Sequence, residues 1–508
     1  MRHRRAFAHH LTEVPLKSTC LRSVVVAALL LTTGMAIAAD SGASAQKGKL
    51  AFDAAHYPSA NTSQQLYDEL DYQRAVQAYI WAQPLVGLGA MAEGARRIGI
   101  RPMELFVFDK LEQVNQTLQT GNDDVVYSFS YFNLQDSGPL VIEIPQGNQY
   151  GVVLDAWQRP IEDVGRIGPD EGKGGKYVIV PPGYRGDLPE QGYIVRQSPT
   201  NRGVLFLRAV RGPGDSVESA AEQLTHANLY PYASRSAPPP LQMRRMGSAD
   251  YDGVTPKGLD YFTLLAERIH AEPGEERDRM MLGMLATLGI ERGKPFAPDA
   301  RLRAILQRAS ETGRMMVANL EFNPRRPRRV MFKGTQWRLP TGLISYTQER
   351  GPLTDVDERA ALFRFGFAMH KFLNPDAKPI VGKGAAYATT YRDARGAFLD
   401  GARTYRLHVP ANAPVLDYWS ASAYDAENFS FINTEQRRPS LSSLKALKHN
   451  PDGSTDLYFG PKAPEGMQSN WIKTVPGNGF FLLFRLYSPT EAFYTGKWQL
   501  GDVTEIVR

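Results

Sequence analysis

The side chains best suited to chemistry in this sequence are Asp155 and Trp157 in one stretch, and Trp419, Tyr424, Asp425, Asn470, Trp471, Arg485 and Tyr487 in another. Tryptophan and tyrosine offer stacking faces, while asparagine and arginine offer directed donors. Together they could line a concave site for a small molecule or a glycan. Asp155 and Asp425 add carboxylates, and two carboxylates at a suitable separation hydrolyse glycosides. Spacing along the chain does not supply that separation. A second reading makes the acids turn and strand-edge residues, with Asn470 and Arg485 tying loops together in a buried network.

Other chemistries find no support. Six histidines follow the first 39 residues (His56, His226, His270, His370, His408 and His449), and none pairs with another at ligand spacing, so no metal site is expected. There is no Gly-x-Ser-x-Gly elbow. The glycine-rich run 168–176 lacks the Ser or Thr that a phosphate loop places after its lysine. No nucleotide, haem or flavin motif is present, so no cofactor is expected, and the enzyme class to test first is a hydrolase, which needs none. The basic run Arg325-Arg326-Pro327-Arg328-Arg329 has no aromatic interleaving, which argues against a nucleic-acid partner.

The elements that must position these residues follow from periodicity. Apolar residues at three- and four-residue spacing predict a helix over 63–85, ended by Pro84. The period then shortens to two, predicting strands at 125–132, 139–144, 150–157, 176–180, 193–196 and 204–210, an antiparallel sandwich. Helical patterns return between 216 and 320, at 261–270, 277–288 and 299–320, the last capped by Asp299. A helix at 355–372 with Thr354 as cap precedes further strands at 405–409, 415–424, 429–432, 455–459 and 479–487. In the last of these, Arg485 and Tyr487 share one face and Phe484 and Leu486 the other. If the second pair is core, the first faces outward or into a cleft. The two β regions do not resemble each other, so two separate sandwiches are expected.

The first residues read as an address. Basic Arg2, Arg4, Arg5, Lys17 and Arg22 precede an apolar run over 24–37, and Ala36-Ile37-Ala38 offers small residues for cleavage. The expected product is periplasmic or secreted, with no stable membrane span, because no later stretch approaches the ~20 apolar residues required. The net charge of +6 includes +4 from residues 1–38, leaving +2 on the remainder. Cys20, the single cysteine, lies in the removed segment. Chain length implies several domains, since single cores stop growing near ~250–300 residues.

The C-terminal order Asp417-Tyr418-Trp419-Ser420, Asn450-Pro451-Asp452-Gly453-Ser454, Tyr458-Phe459-Gly460-Pro461, Asn470-Trp471-Ile472-Lys473-Thr474 and Arg485-Leu486-Tyr487-Ser488-Pro489 resembles the family called domain of unknown function 1214. Asn122-Asp123-Asp124-Val125-Val126-Tyr127-Ser128, Val153-Leu154-Asp155-Ala156-Trp157 and Pro182-Gly183-Tyr184 resemble its usual companion, domain of unknown function 1254, although Val125 stands where that family has threonine. The resemblance implies an immunoglobulin-like β-sandwich, a helical insert and a C-terminal jelly-roll β-sandwich. The domain reading is a signal peptide at 1–39, a flexible leader at 40–62, a helix plus sandwich at 63–215, a helical subdomain and linker at 216–350, and a helix plus jelly roll at 351–508. Its family implies no reaction. The expected function is binding or hydrolysis of a small molecule or glycan at a cleft beside the two β domains; the alternative is a non-catalytic cell-envelope assembly or interaction protein. A second copy of the chain is the other partner considered.

Overall fold

The computed structural model describes residues 50–111, 113–211, 214–343, 345–366, 368–371 and 381–506. The signal peptide expected at 1–39, most of the leader expected at 40–62, and residues 367 and 372 of the helix expected at 355–372 lie outside them. The chain forms two units, 1–59 and 60–508. Of the first, residues 50–59 form a small turn in which Asp53 Oδ1 accepts the N–H groups of Ala55 and Tyr57 (both 2.9 Å) and Phe52 bridges to Pro58. Everything below concerns the second unit.

Its N-terminal β part has two main sheets and a parallel pair of two-residue strands, Gln116–Thr117 with Tyr251–Asp252. The larger runs in the order Met243–Arg245, Leu105–Val107, Val126–Asn133, Arg202–Ala209, Tyr150–Asp155, Pro160–Gly165; the smaller in the order Asn228–Pro231, Leu140–Ile144, Gly175–Val180, Ile194–Gln197. Val153, Leu205 and Leu207 of the first meet Leu140, Ile142 and Ile179 of the second in a common core. Each such burial contributes roughly 1.5–3 kcal/mol. The opposite face of the larger sheet is also apolar, with Phe129, Tyr131, Val152, Leu154, Val204 and Phe206 in a separate cluster. A sheet buried on both faces must be covered on its outer side, and that cover creates the site.

The pairing corrects the antiparallel expectation. Gly175–Val180 and Ile194–Gln197 run parallel, as do Leu105–Val107 and Met243–Arg245. The long connection between residues 180 and 194 permits this, because parallel neighbours need a crossover of about a dozen residues or more. Strand Pro160–Gly165 was not expected, since it opens on proline and carries Glu162 and Asp163. Both acids are buried but paired, Glu162 with Arg196 and Lys371, Asp163 with His370. Within the broadly helical region expected from residue 216, only Val217–Leu224 is α-helical before residue 258, and short strands at Asn228–Pro231, Met243–Arg245 and Tyr251–Asp252 intervene.

The helical layer is not a single insert. Helices Ala60–Trp81 and Gln83–Arg97 pack with Leu259–Ala271, Arg279–Ala286, Ala300–Phe322 and Val356–Arg364 around a core containing Val76, Leu85, Leu265, Leu306 and Ala360. Pro84 begins a new helix, in whose first turn a missing N–H costs nothing. Asp299 caps as expected, accepting from Leu302 N at 2.7 Å. Asp355, not Thr354, precedes the next helix, and Thr354 instead pairs with Glu349 in a two-residue strand. Among the described residues no helix is long and apolar enough to cross a membrane.

Glu272, just past Leu259–Ala271, joins this layer to the larger sheet by accepting from Asn201 N (2.6 Å) and Arg202 N (3.1 Å). Burial pushes its carboxyl up to about 7 from an ordinary 4.5, against the pull of those two N–H groups. An acid raised in the folded state contributes stability that is fully present below its unfolded value and lost as pH rises through the folded one, here on the order of 3 kcal/mol. Glu272→Gln is therefore expected to flatten the decline in melting temperature between about pH 4.5 and pH 7. A wild-type decline in the variant would count against this assignment.

The C-terminal β part again has two layers, Ala385–Thr390, Phe480–Tyr487, Trp419–Asp425, Ser440–Ser442 and Trp471–Lys473, Thr455–Gly460, Tyr405–Val409, Thr504–Glu505, in those orders. Leu482, Phe484 and Leu486 face Leu407, Leu457 and Phe459 across the core. The expected strand at 429–432 is reduced to a single bridge, Tyr424 to Phe431.

Candidate functional site

A cavity of about 310 Å³ lies between the outer face of the larger N-terminal sheet and the outer face of the Phe480–Tyr487 sheet. Alternation puts its walls in place. Tyr127 and Phe129 line it from Val126–Asn133, Val204, Phe206 and Arg208 from Arg202–Ala209, and Leu154 from Tyr150–Asp155. From the C-terminal sheet come Tyr387, Leu483 and Arg485, while Leu88 and Met91 of Gln83–Arg97 close one side. Gly366 allows its segment to approach Gln119 closely: its φ is 68°, and a Cβ there would lie 2.7 Å from that of Gln119. The volume falls at the low end of the roughly 300–1,000 Å³ of small-molecule pockets.

The walls are mainly apolar, with Gln119, Gln158, His370 and an exposed Arg329 among the lining residues, and two further guanidinium groups in them are buried. Arg208 is only 7% exposed and Arg485 only 3%. Arg208 stands in register between Tyr127 and Tyr150, lies 5.6 Å from the Tyr150 ring centroid, and donates to the Tyr387 hydroxyl at 3.1 Å. Its Nε is buried with no hydrogen-bond partner among the described residues. Arg485 stands opposite Tyr387 and donates to Ser422 Oγ (2.9 Å), Thr120 O (3.0 Å) and Gly121 O (3.3 Å). Among the described residues neither arginine has a carboxylate within ion-pair distance; Asp124 feels Arg485 from farther away. Thr120 adopts φ 45°, a conformation held by bonds from its N–H to Phe429 O (2.7 Å) and from its hydroxyl to Phe365 O (2.6 Å).

The next residues of that loop lock the two β parts together. Asn122 Nδ2 donates to the Tyr487 hydroxyl, and fully buried Asp124 accepts from Ser442 (2.9 Å) and Ser440 (3.3 Å). Lys445 bonds Asp123 at 2.7 Å and lies 3.7 Å from Asp124. Burial, and next the charge of Asp123, push the Asp124 carboxyl up, while Lys445 opposes them. Ser440 and Lys445 also meet at 2.7 Å, a separation found in Ser–Lys nucleophile pairs. Burial works against the Lys445 ammonium, but the two aspartates outweigh it and hold its pKa above the ordinary value, which opposes the neutral amine that such a pair needs. With Ser440 also fully buried, this cluster is structural.

Of the residues singled out from sequence, Arg485 alone lines the cavity. Tyr487 is in the lock beside it, stacked on Tyr418 at 4.2 Å. Tyr424 lies behind Arg485 and donates to Gly121 O at 2.6 Å. Asp155 is buried against Arg159 (2.6 Å), which also binds Glu275, and Trp157 packs edge-on against Trp81 in the helical core. Trp419 stacks on Phe484 inside the C-terminal core. Asp425 Oδ1 accepts Glu427 N (2.7 Å) in a turn. Asn470 ties Lys448 O (2.7 Å) to Asp456 O (2.9 Å), and Trp471 Nε1 donates to Gly460 O (2.8 Å). These distant positions do not form one aromatic cleft.

Arg208, Tyr127, Tyr387 and His370 line the cavity without having been singled out for it. The sequence does hold one signal for Arg208, a lone cation in the alternating strand Val204-Leu205-Phe206-Leu207-Arg208-Ala209. His370 is buried, with Nδ1 2.9 Å from Asp163 Oδ1, an arrangement that fixes the ring. Among the described residues no group of three or more His, Cys, Asp or Glu could hold a metal.

Residues 105–231 match the family described as protein of unknown function (DUF1254), and residues 384–491 match protein of unknown function (DUF1214). The lock thus joins the two matched regions. The VPA0106 protein from Vibrio parahaemolyticus is similar at 15% identity and a TM-score of 0.48, with 86% of this chain and 100% of that one covered. An uncharacterized protein from Burkholderia cenocepacia is similar at 10% identity and a TM-score of 0.37, with 88% and 89% covered. Comparison with curated proteins found no match.

Proposed function

We propose that the protein binds a small molecule in the cavity between its two β parts, and that it does so after export to the periplasm or beyond. The observation that carries this reading is an apolar space of about 310 Å³ walled by side chains from both β parts and the helical layer. Well-packed interiors leave few voids larger than a water molecule, so a space of this size favours occupancy over accident. The apolar walls favour a hydrophobic body over a glycan. Asp155 and Asp425 lie outside the space, which removes the pair once considered for glycoside hydrolysis. The order of charged, apolar and small residues at the start of the chain supports export. The layered sheets and the family matches support an immunoglobulin-like first sandwich and a jelly-roll second.

The test compares wild type with Val204→Phe, which places a ring in the cavity. Mass spectrometry after denaturing protein purified without added ligand is expected to detect a small molecule released by wild type and not by the variant. The reading is overturned if wild type releases nothing and neither 1-decanol nor decanoate raises its melting temperature, since a ligand bound only by the folded state must raise it.

A further inference from the structure

We propose that the ligand of this cavity is an anion with an apolar body, its charged head seated on Arg208 and Arg485; this rests on the cavity reading above. Both guanidiniums are nearly excluded from water, and among the described residues the groups that bond them are neutral: a tyrosine hydroxyl, a serine hydroxyl and two backbone carbonyls. Buried cations are costly without a counter-charge. Asp124 does not supply it at close range, because its oxygens are engaged by Ser440 and Ser442 with Lys445 nearby.

The two cations also belong to one place. Tyr127, Tyr387 and Tyr487 are electrostatic neighbours of both, and Tyr387 bonds one arginine while lying opposite the other on the adjoining strand. The unsatisfied Arg208 Nε is a buried donor at the cavity wall. A carboxylate, with two oxygens and no proton to donate, fits such a set, and arginine binds it in two-pronged fashion. Leu88, Met91, Leu154, Phe206 and Leu483 would then enclose the remainder of the molecule. Arg329, an exposed residue that also lines the space, adds positive charge to it.

The experiment measures calorimetric affinities of delipidated full-length exported protein for decanoate and for 1-decanol, which share a chain and differ in charge. Decanoate is expected to bind on the order of 30-fold more tightly, as charge-assisted hydrogen bonds outweigh neutral ones. Arg208→Gln is expected to reduce that preference to within about 3-fold, chiefly through a loss of decanoate affinity. Circular dichroism establishes that the variant is folded, and Arg208→Lys, which keeps the charge but loses the fork, is expected to recover part of the preference. Equal affinities in wild type overturn the anion assignment while leaving the cavity reading intact. An unchanged preference in folded Arg208→Gln also overturns it. Failure of both probes to bind overturns the anion assignment, and together with the absence of any small molecule released by wild type it brings down the cavity reading itself.

Discussion

Arg485→Ala is expected to lower the urea midpoint at unchanged slope, by an amount corresponding to roughly 3–5 kcal/mol. Alternation in the Phe480–Tyr487 strand left two outcomes for this residue: a cleft position, removable at a cost within about 0.5 kcal/mol, or a buried tie. The geometry joins them. Arg485 faces the cavity, yet its guanidinium also holds Thr120 O, Gly121 O and Ser422 Oγ. Truncation strands these buried acceptors, each at about 1–3 kcal/mol, and this outweighs the relief from no longer burying a cation. Arg485→Lys should lie between, because an ammonium cannot span the same acceptors. Equal midpoints for wild type and Arg485→Ala would reject the tie.

Asp124→Ala is expected to cost a similar amount, roughly 3–5 kcal/mol, although Asp124 touches no ligand. Its carboxylate is the buried partner of Ser440 and Ser442 and lies beside Lys445, all on the other β part. Asp124→Asn, which keeps the shape and loses the charge, should cost less, because Lys445 retains Asp123. A double-mutant cycle of Asp124→Ala with Ser442→Ala checks the mechanism. Residues that share one hydrogen bond should couple by about 0.5–3 kcal/mol, and strict additivity would show that the lock does not exist.

These two residues show how far the site was legible. Arg485 could be placed on the correct strand face, because a period of two separates it from Phe484 and Leu486 whatever the strand packs against. Asp123 and Asp124 could be placed at a strand start, and their motif was among those that carried the family resemblance. Neither reading revealed that the motif docks onto Ser440, Ser442 and Lys445 more than 300 residues away. Trp157 and Trp419 misled for a related reason. A tryptophan fills a core as readily as it lines a cleft, and here Trp81 and Phe484 occupy the faces that a ligand would need.

The sequence by itself determined two β-rich parts with a helical component between and around them, the capping role of Asp299, and the two family resemblances. These follow from local periodicity, side-chain chemistry and motif order. Only the tertiary structure decided that Ala60–Trp81 and Gln83–Arg97 belong to the helical layer, that several strand pairs are parallel, and that the outer faces of two sheets meet around a space lined by Arg208 and Arg485. Such features depend on which surfaces face each other across long sequence separations. A buried face and a cavity-lining face present the same alternation until the opposing layer is in place.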